Sequence, residues 1–275
     1  MGLLGSNFTK AMLAKGIQVQ VWNRTAAKAR ELEQFGAKAF ADAADAVRGA
    51  DTIHVTLKDD ASVDEVLADA SAGLTAGATI IDHTTTSVNG VVKRTNQWKE
   101  RGIVYQHAPV FMAPSNALEA TGFMLISGDK DIVDRLSPEL SAMTGKLLNF
   151  GTETGKAAAV KLLGNMFLVA FTAGIADMLS LAKALNTPLE DMLMLFNAWN
   201  PGTTLPGRIT RVASGDYSTP AWELNMARKD TQLFMDAAKE GGTELHAIPA
   251  IAALMDSWIA KGHGQDDWTV IGKLT

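Results

Sequence analysis

No cysteine occurs in the 275 residues, which excludes both a disulfide frame and a thiolate metal site. The five histidines are scattered without ligand spacing, so no metal site is expected. Charge is sparse, at 20% of residues, and acids exceed bases by 30 to 25, giving a net charge of −5 and a pI near 5.6. That balance disfavours nucleic-acid binding through a broad basic face. The N-terminus lacks the charged-then-apolar pattern of a secretory signal. The most apolar stretch, residues 162–176, is shorter than the roughly 20 residues that span a bilayer, and Gly164, Asn165 and Gly174 interrupt it. It predicts a buried helix, no membrane association and a cytoplasmic location.

What remains is a good core: 47% of residues are hydrophobic, enough to argue against disorder and for two domains. Strand and helix patterns alternate over the first 150 or so residues. Strand-like runs fall at 17–25, 51–57, 78–82, 103–107, 123–127 and 146–150, with helical patterns at 62–70 and 88–101 between them. Such alternation means parallel strands with crossover helices. After Gly155 the strand signals stop. A helix over about 156–185, apolar nearly all round, is expected to be buried between domains. Helical patterns follow at 188–198, 220–240 and 246–261. The predicted fold is α/β: a Rossmann-type doubly wound sheet over 1–152, joined by a long connecting helix to an all-α C-terminal domain, together 153–275.

The first twenty-five residues suggest what the sheet binds. Gly2-Leu3-Leu4-Gly5 opens an amphipathic helix. A Gly-x-x-Gly turn at a helix start lets backbone N–H groups approach a pyrophosphate, and the positive end of the helix favours that anion. The full fingerprint carries a further glycine and a preceding strand. Neither is present here, so the sheet is expected with its first strand missing from this sequence. The strand over 17–25 ends on Asn23-Arg24-Thr25, with Lys28 beyond. An acid at such a strand end accepts from a ribose 2′-hydroxyl, whereas an arginine suits a 2′-phosphate. This predicts NADP(H) rather than NAD; the alternative is a solvated arginine after an ordinary strand.

Between residues 157 and 182 the only charges are Lys161 and Asp177. Lys161 and Asn165 are four apart and share a helix face. A desolvated lysine has a lowered pKa and can deliver or take a proton near neutral pH, while the asparagine amide holds the lysine or a substrate oxygen. The alternative is a first-turn lysine snorkelling to water, with the asparagine satisfied by a neighbouring helix.

Taken in order, these segments resemble the β-hydroxyacid dehydrogenase family, which includes 3-hydroxyisobutyrate dehydrogenases and glyoxylate or succinic-semialdehyde reductases and is related to 6-phosphogluconate dehydrogenase. The resemblance spans nearly the whole chain. It implies that Gly2, Leu3, Leu4 and Gly5 form the cofactor turn, and that Asn23, Arg24, Thr25 and Lys28 meet the 2′-phosphate. It places Thr56, Leu57 and Lys58 along the cofactor and Thr84 at a substrate-binding hydroxyl position. It makes Lys161 and Asn165 the catalytic pair of a Lys-x-x-x-Asn helix. Trp222 and Lys229, the latter followed by Asp230, fall where the family has an aromatic and a Lys-Asp pair reaching the nicotinamide end.

One loop departs from that pattern. Hydroxyacid members follow Ala-Pro-Val with a Ser-Gly-Gly turn that receives the substrate carboxylate. Here Ala108-Pro109-Val110 is followed by Phe111-Met112-Ala113-Pro114, which is somewhat similar to imine reductases, although those usually replace the catalytic lysine with an acid or tyrosine. The implied activity is hydride transfer between NADPH and a small carbonyl or hydroxy compound, with Lys161 acting on the oxygen. The substrate contacts are Thr84, Phe111, Met112, Ala113, Asn165, Trp222 and Lys229. Imine reduction is the alternative, and a non-catalytic NADPH-binding protein the second. The expected partners are a small carbonyl, hydroxyacid or imine substrate and a second copy of the chain. The apolar side chains Met192, Leu193, Met194, Leu195, Phe196, Trp199, Leu254, Met255 and Trp258 are too many for a small helical domain to bury, and family members typically pair through this domain.

Overall fold

The computed structural model describes residues 1–273. The chain divides into two compact units, Met1–Met166 and a second from Phe167 onward. In chain order the first contains α1 (Leu3–Ala14), β1 (Gln20–Trp22), α2 (Ala26–Arg30), β2 (Lys38–Phe40), α3 (Ala43–Val47), β3 (Thr52–Val55), α4 (Asp60–Ala70) and β4 (Thr79–Asp82). It continues with α5 (Val88–Glu100), β5 (Val104–His107), β6 (Val110–Phe111), α6 (Pro114–Glu119), β7 (Phe123–Ile126), α7 (Lys130–Ser141) and β8 (Lys146–Asn149). Then comes α8 (Lys156–Ala184), which runs on into the second unit.

Strand pairing is parallel except at one place. β1 pairs with β2; β3, β4 and β5 pair in that order; and β6 runs antiparallel to β7, which pairs with β8. A doubly wound sheet has the order 3-2-1-4-5-6. Removing its central first strand leaves two groups, 3-2 and 4-5-6, and these are the groups formed by β2-β1 and β3-β4-β5. Among the described residues, β1 and β3 each keep one unpaired edge. Side chains from successive strands fill the core from both faces. Ile81, Val110, Met124 and Ile126 pack with Phe8 of α1 and Leu136 and Leu140 of α7. Val55, Ile80 and Tyr105 pack with Val63, Leu67, Val91, Trp98 and Ala158.

The helices start where side chains can satisfy their first N–H groups. The Asp59 carboxylate accepts from the Ser62 N–H at the start of α4, Ser87 from the Gly90 N–H in α5, and Asp129 from two N–H groups of α7. Each such cap contributes on the order of 1 kcal/mol.

The second unit is helical, as expected, with α9 (Leu189–Ala198), α10 (Leu205–Ser214), α11 (Leu224–Glu240) and α12 (Ile248–Trp258). No helix is expected from the sequence at α10, which begins with Leu205-Pro206-Gly207. The proline falls in the first turn, where its missing N–H costs nothing.

Two expectations require correction. The long helix forms, but within one chain it is not buried: Leu163, Met166, Leu168, Val169 and Phe171 are exposed. A helix apolar on every side needs cover on every side, and one chain supplies only part of it. The apolar C-terminal side chains also divide. Met255 and Trp258 lie in an ordinary core with Tyr217, Leu224 and Val270, whereas Leu193, Met194, Leu195 and Trp199 stay exposed.

At 29 residues α8 is long and apolar enough to cross a membrane by length and composition, so the shortness of 162–176 excludes nothing by itself. Two of its ionisable residues, Lys161 and Asp177, are nonetheless buried within the protein. Asp177 is buried and accepts the N–H groups of His246, Ala247 and Ile248 at 2.8, 2.8 and 2.9 Å, capping α12. Burial alone would raise this carboxyl, but the three donors outweigh it and hold it below the usual carboxylate range.

Candidate active site

A cleft of 390 Å³ opens at the start of α1, lined by Gly2, Leu3, Leu4, Gly5, Thr56, Leu57, Met112 and Pro114. Three segments far apart in sequence thus meet in one place: the glycine turn, the loop after β3, and the loop after β6. Gly5 makes the approach possible. A Cβ there would lie 2.5 Å from Thr56 Oγ1, closer than any real contact. The N-cap Gly2 has open space around its Cα and provides no capping side chain. The N–H groups of Leu3, Leu4 and Gly5 precede the first helical hydrogen bonds and have no partner among the described residues. Free donors and an absent Cβ fit a dinucleotide pyrophosphate.

Arg24 and Thr25 lie just beyond β1, after Asn23, and are exposed, as is Lys28 on α2. Neither Arg24 nor Lys28 has an acidic partner among the described residues. Asn23 is folded inward, its amide donating to the Thr25 carbonyl at 3.0 Å. Lys58 extends into solvent 3.8 Å from Asp59.

The loop after β3 is held by Thr84. This residue is buried beyond the end of β4, and its Oγ1 accepts the Leu57 N–H at 2.9 Å, while its own N–H donates to Asp82 at 2.8 Å. Asp82 is fully buried and also accepts from the Tyr105 hydroxyl at 2.6 Å. Tyr105 accepts in turn from Arg94, which is paired with Asp60 at 2.6 Å and Asp64 at 3.1 Å. Burial, with Asp82 beside it, pushes the Tyr105 hydroxyl up and keeps it a donor. Thr84 is therefore a strut between two loops, and its hydroxyl keeps its proton and one lone pair for a ligand.

A second chain of polar contacts lies behind. His83 Nδ1 is 2.7 Å from the Ala108 carbonyl, His83 Nε2 is 3.0 Å from His54 Nδ1, and His54 Nε2 is 3.1 Å from Glu139. The carbonyl only accepts, so His83 must donate to it from Nδ1 and accept at Nε2. Burial, then the nearby His54 ring, lowers the His83 pKa to about 3. Sequence spacing gave no sign of this chain, because its four members, His54, His83, Ala108 and Glu139, come from four separate segments.

Lys161 lies one turn into α8, on the face that carries Ala157 and Ala158 onto the sheet. The Ala157 N–H donates to Ser127 Oγ at 2.9 Å, tying the helix start to the end of β7. Lys161 is only 7% exposed, and its Nζ donates to Asn165 Oδ1 at 2.9 Å. Burial lowers its pKa from 10.5 to about 8. The ammonium also stands 3.9 Å from the centroid of the Phe111 ring. Gly164 makes room for that ring: a Cβ there would come within 2.4 Å of Phe111 Cζ. Met112 borders the cleft, and Ala113 is exposed at the head of α6, its N–H donating to Asn116 Oδ1 at 2.8 Å.

Trp222 and Lys229 belong to the second unit. Trp222 packs edge-on against Trp268 at 5.6 Å, and Lys229 on α11 pairs with Asp230 at 2.9 Å.

The parallel sheet and the glycine cradle at α1 fit one class: an oxidoreductase that takes a nicotinamide dinucleotide, NAD(P)H. The chain belongs to the 6-phosphogluconate and 3-hydroxyisobutyrate dehydrogenase family. Residues 1–151 match the NAD binding domain of 6-phosphogluconate dehydrogenase, and residues 155–275 match the NAD-binding region of NADP-dependent 3-hydroxyisobutyrate dehydrogenase. Among curated relatives, 3-sulfolactaldehyde reductase from Escherichia coli (strain K12) is 29% identical, over 98% of this chain and 92% of that protein. An NADPH-dependent reductive aminase from Aspergillus oryzae is 26% identical, over 98% and 93%. An imine reductase from Myxococcus stipitatus, solved with NADP+, has the same fold, with a TM-score of 0.87 at 24% identity over 98% of this chain and 96% of that one.

Proposed function

We propose that this enzyme transfers hydride from NADPH to a small, weakly polar aldehyde or ketone, with Lys161 as the proton donor. The burial of Lys161 against Asn165, which brings its pKa to about 8, carries this reading. Gly2, Leu3, Leu4 and Gly5 would hold the pyrophosphate, and Arg24, Thr25 and Lys28 the 2′-phosphate. The Thr56–Lys58 loop would lie along the dinucleotide. Bound NADPH supplies the hydride. As negative charge develops on the substrate oxygen, the protonated Lys161 stabilises it and delivers the proton. Asn165 keeps the ammonium pointed, and the apolar Phe111 and Met112 exclude water from the reacting carbonyl. Those two side chains also disfavour a substrate carboxylate, which would lose water without gaining donors.

Imine reduction is the second reading. The apolar Phe111–Pro114 loop favours it, as does the similarity to a reductive aminase. Against it, a protonated iminium beside the Lys161 ammonium places two cations together in a partly desolvated site. Initial rates with NADPH across neutral aldehydes, acid-bearing aldehydes and cyclic imines, and with NADP+ across 3-hydroxyacids, decide between them. Faster turnover of neutral aldehydes supports the first reading and faster imine turnover the second. Efficient use of 3-hydroxyisobutyrate, glyoxylate or succinic semialdehyde would overturn the loop argument alone.

A further inference from the structure

The contact between Phe111 and Lys161 joins residues that the reaction does not require to touch. Phe111 ends β6, and its place is fixed by antiparallel pairing with Phe123 of β7. Its ring reaches α8 over Gly164, where a larger residue would block it. There the ammonium of Lys161 lies 3.9 Å above the ring centroid. An aromatic face attracts a cation, and the attraction grows when water is excluded. Among the described residues, Lys161 is otherwise held by a single hydrogen bond, to Asn165. A lysine side chain retains much rotamer freedom unless it is restrained at more than one point.

We propose that Phe111 is a positioning residue for Lys161: its ring, admitted by Gly164, confines the ammonium to the direction of Asn165 and holds it in the charged form. The ring thus does two opposed things. Its bulk keeps water away, which favours neutral lysine, and its π face favours the cation. Substitutions separate the two. Phe111→Leu keeps the apolar cover and removes the π face, so the Lys161 pKa falls below its wild-type value. Phe111→Ala admits water, so the pKa rises toward 10.5. Phe111→Tyr keeps both properties and leaves it in place. A side chain that merely fills space would give no such opposition.

The inference rests on the reading of Lys161 as proton donor only for its catalytic consequence, so the primary readout is not activity. Lysine labelled with 13C at Cε is titrated by NMR in the intact protein, the Lys161 resonance being assigned by its loss in Lys161→Ala. The expected result is a drop of roughly half to one pH unit in Phe111→Leu, the size of an ordinary cation–π contact, a rise of similar size in Phe111→Ala, and no change in Phe111→Tyr. Gly164→Ala should shift the titration in the wild-type background and leave it unmoved in Phe111→Ala, because its only effect is to displace the ring. An unmoved titration in Phe111→Leu and Phe111→Ala, or shifts of the same sign in both, would overturn the proposal. The alkaline limb of the kcat–pH profile for reduction should follow the NMR titration. A limb that stays still while the resonance moves leaves Phe111 as the positioning residue and removes Lys161 as proton donor.

Discussion

Lys161 donates to Asn165 across 2.9 Å, one helical turn apart on a helix that carries no other cation between Ala157 and Ala182. The pair is the chemical centre of the proposed site. Lys161→Ala should lower kcat by roughly 10² to 10⁴, the usual contribution of a general acid or base, while NADPH titrates as in the wild type. Asn165→Ala should cost less, since it orients the donor and transfers nothing. Steady-state kinetics and cofactor fluorescence check both, and near-native turnover of Lys161→Ala would return the lysine to a structural role.

The same burial sets a pH dependence. With the Lys161 pKa at about 8, the protonated donor needed for reduction is lost as pH rises through 8. Reduction should therefore decline above pH 8, and the reverse oxidation should gain over the same interval. A reduction rate flat from pH 7 to 9.5 would contradict the assignment.

Arg24 stands exposed at the end of β1 without an acidic partner among the described residues. NADPH should therefore bind better than NADH by at least about tenfold, or about 1.4 kcal/mol. Arg24→Ala should erase most of that preference. Equal wild-type affinities, measured by calorimetry, would show that the ribose end is read elsewhere.

His83 is buried as a neutral ring, with a pKa near 3 against an ordinary 6.5. Between those values the unfolded chain binds a proton that the folded chain refuses. Stability is therefore lost as pH falls below 6.5. From pH 6.5 to 5 the loss should approach about 1–2 kcal/mol and lower Tm by a few degrees. His83→Asn, which preserves the donor to the Ala108 carbonyl, should flatten this dependence in a thermal melt.

Exposed Met166, Val169 and Phe171 on α8, with Leu193, Met194 and Trp199 on and after α9, form more apolar surface than a monomer usually leaves in water. A second copy of the chain should cover it in a two-fold dimer. Light scattering at micromolar concentration should give twice the chain mass, and charged substitutions at Val169 and Met194 should halve it. A monomeric wild type would count against this arrangement.

The sequence by itself determined whatever depends on neighbours along the chain. The glycine turn falls at the first residues of α1, the β-rich runs became parallel strands, and Lys161 and Asn165 meet because four residues make about one helical turn. Very short elements such as β6 left no periodicity to read. Tertiary structure alone decided the contacts between distant segments. Gly5 approaches Thr56, and Phe111 covers Lys161 from fifty residues away. Asp177 caps a helix whose first turn lies about seventy residues on, and His83 stays neutral because residues distant in sequence, Phe8, His54 and Ala108, pack around it. No spacing rule reaches so far. Such pairs meet only once β-strands have chosen their partners, and that choice belongs to the whole core rather than to any segment.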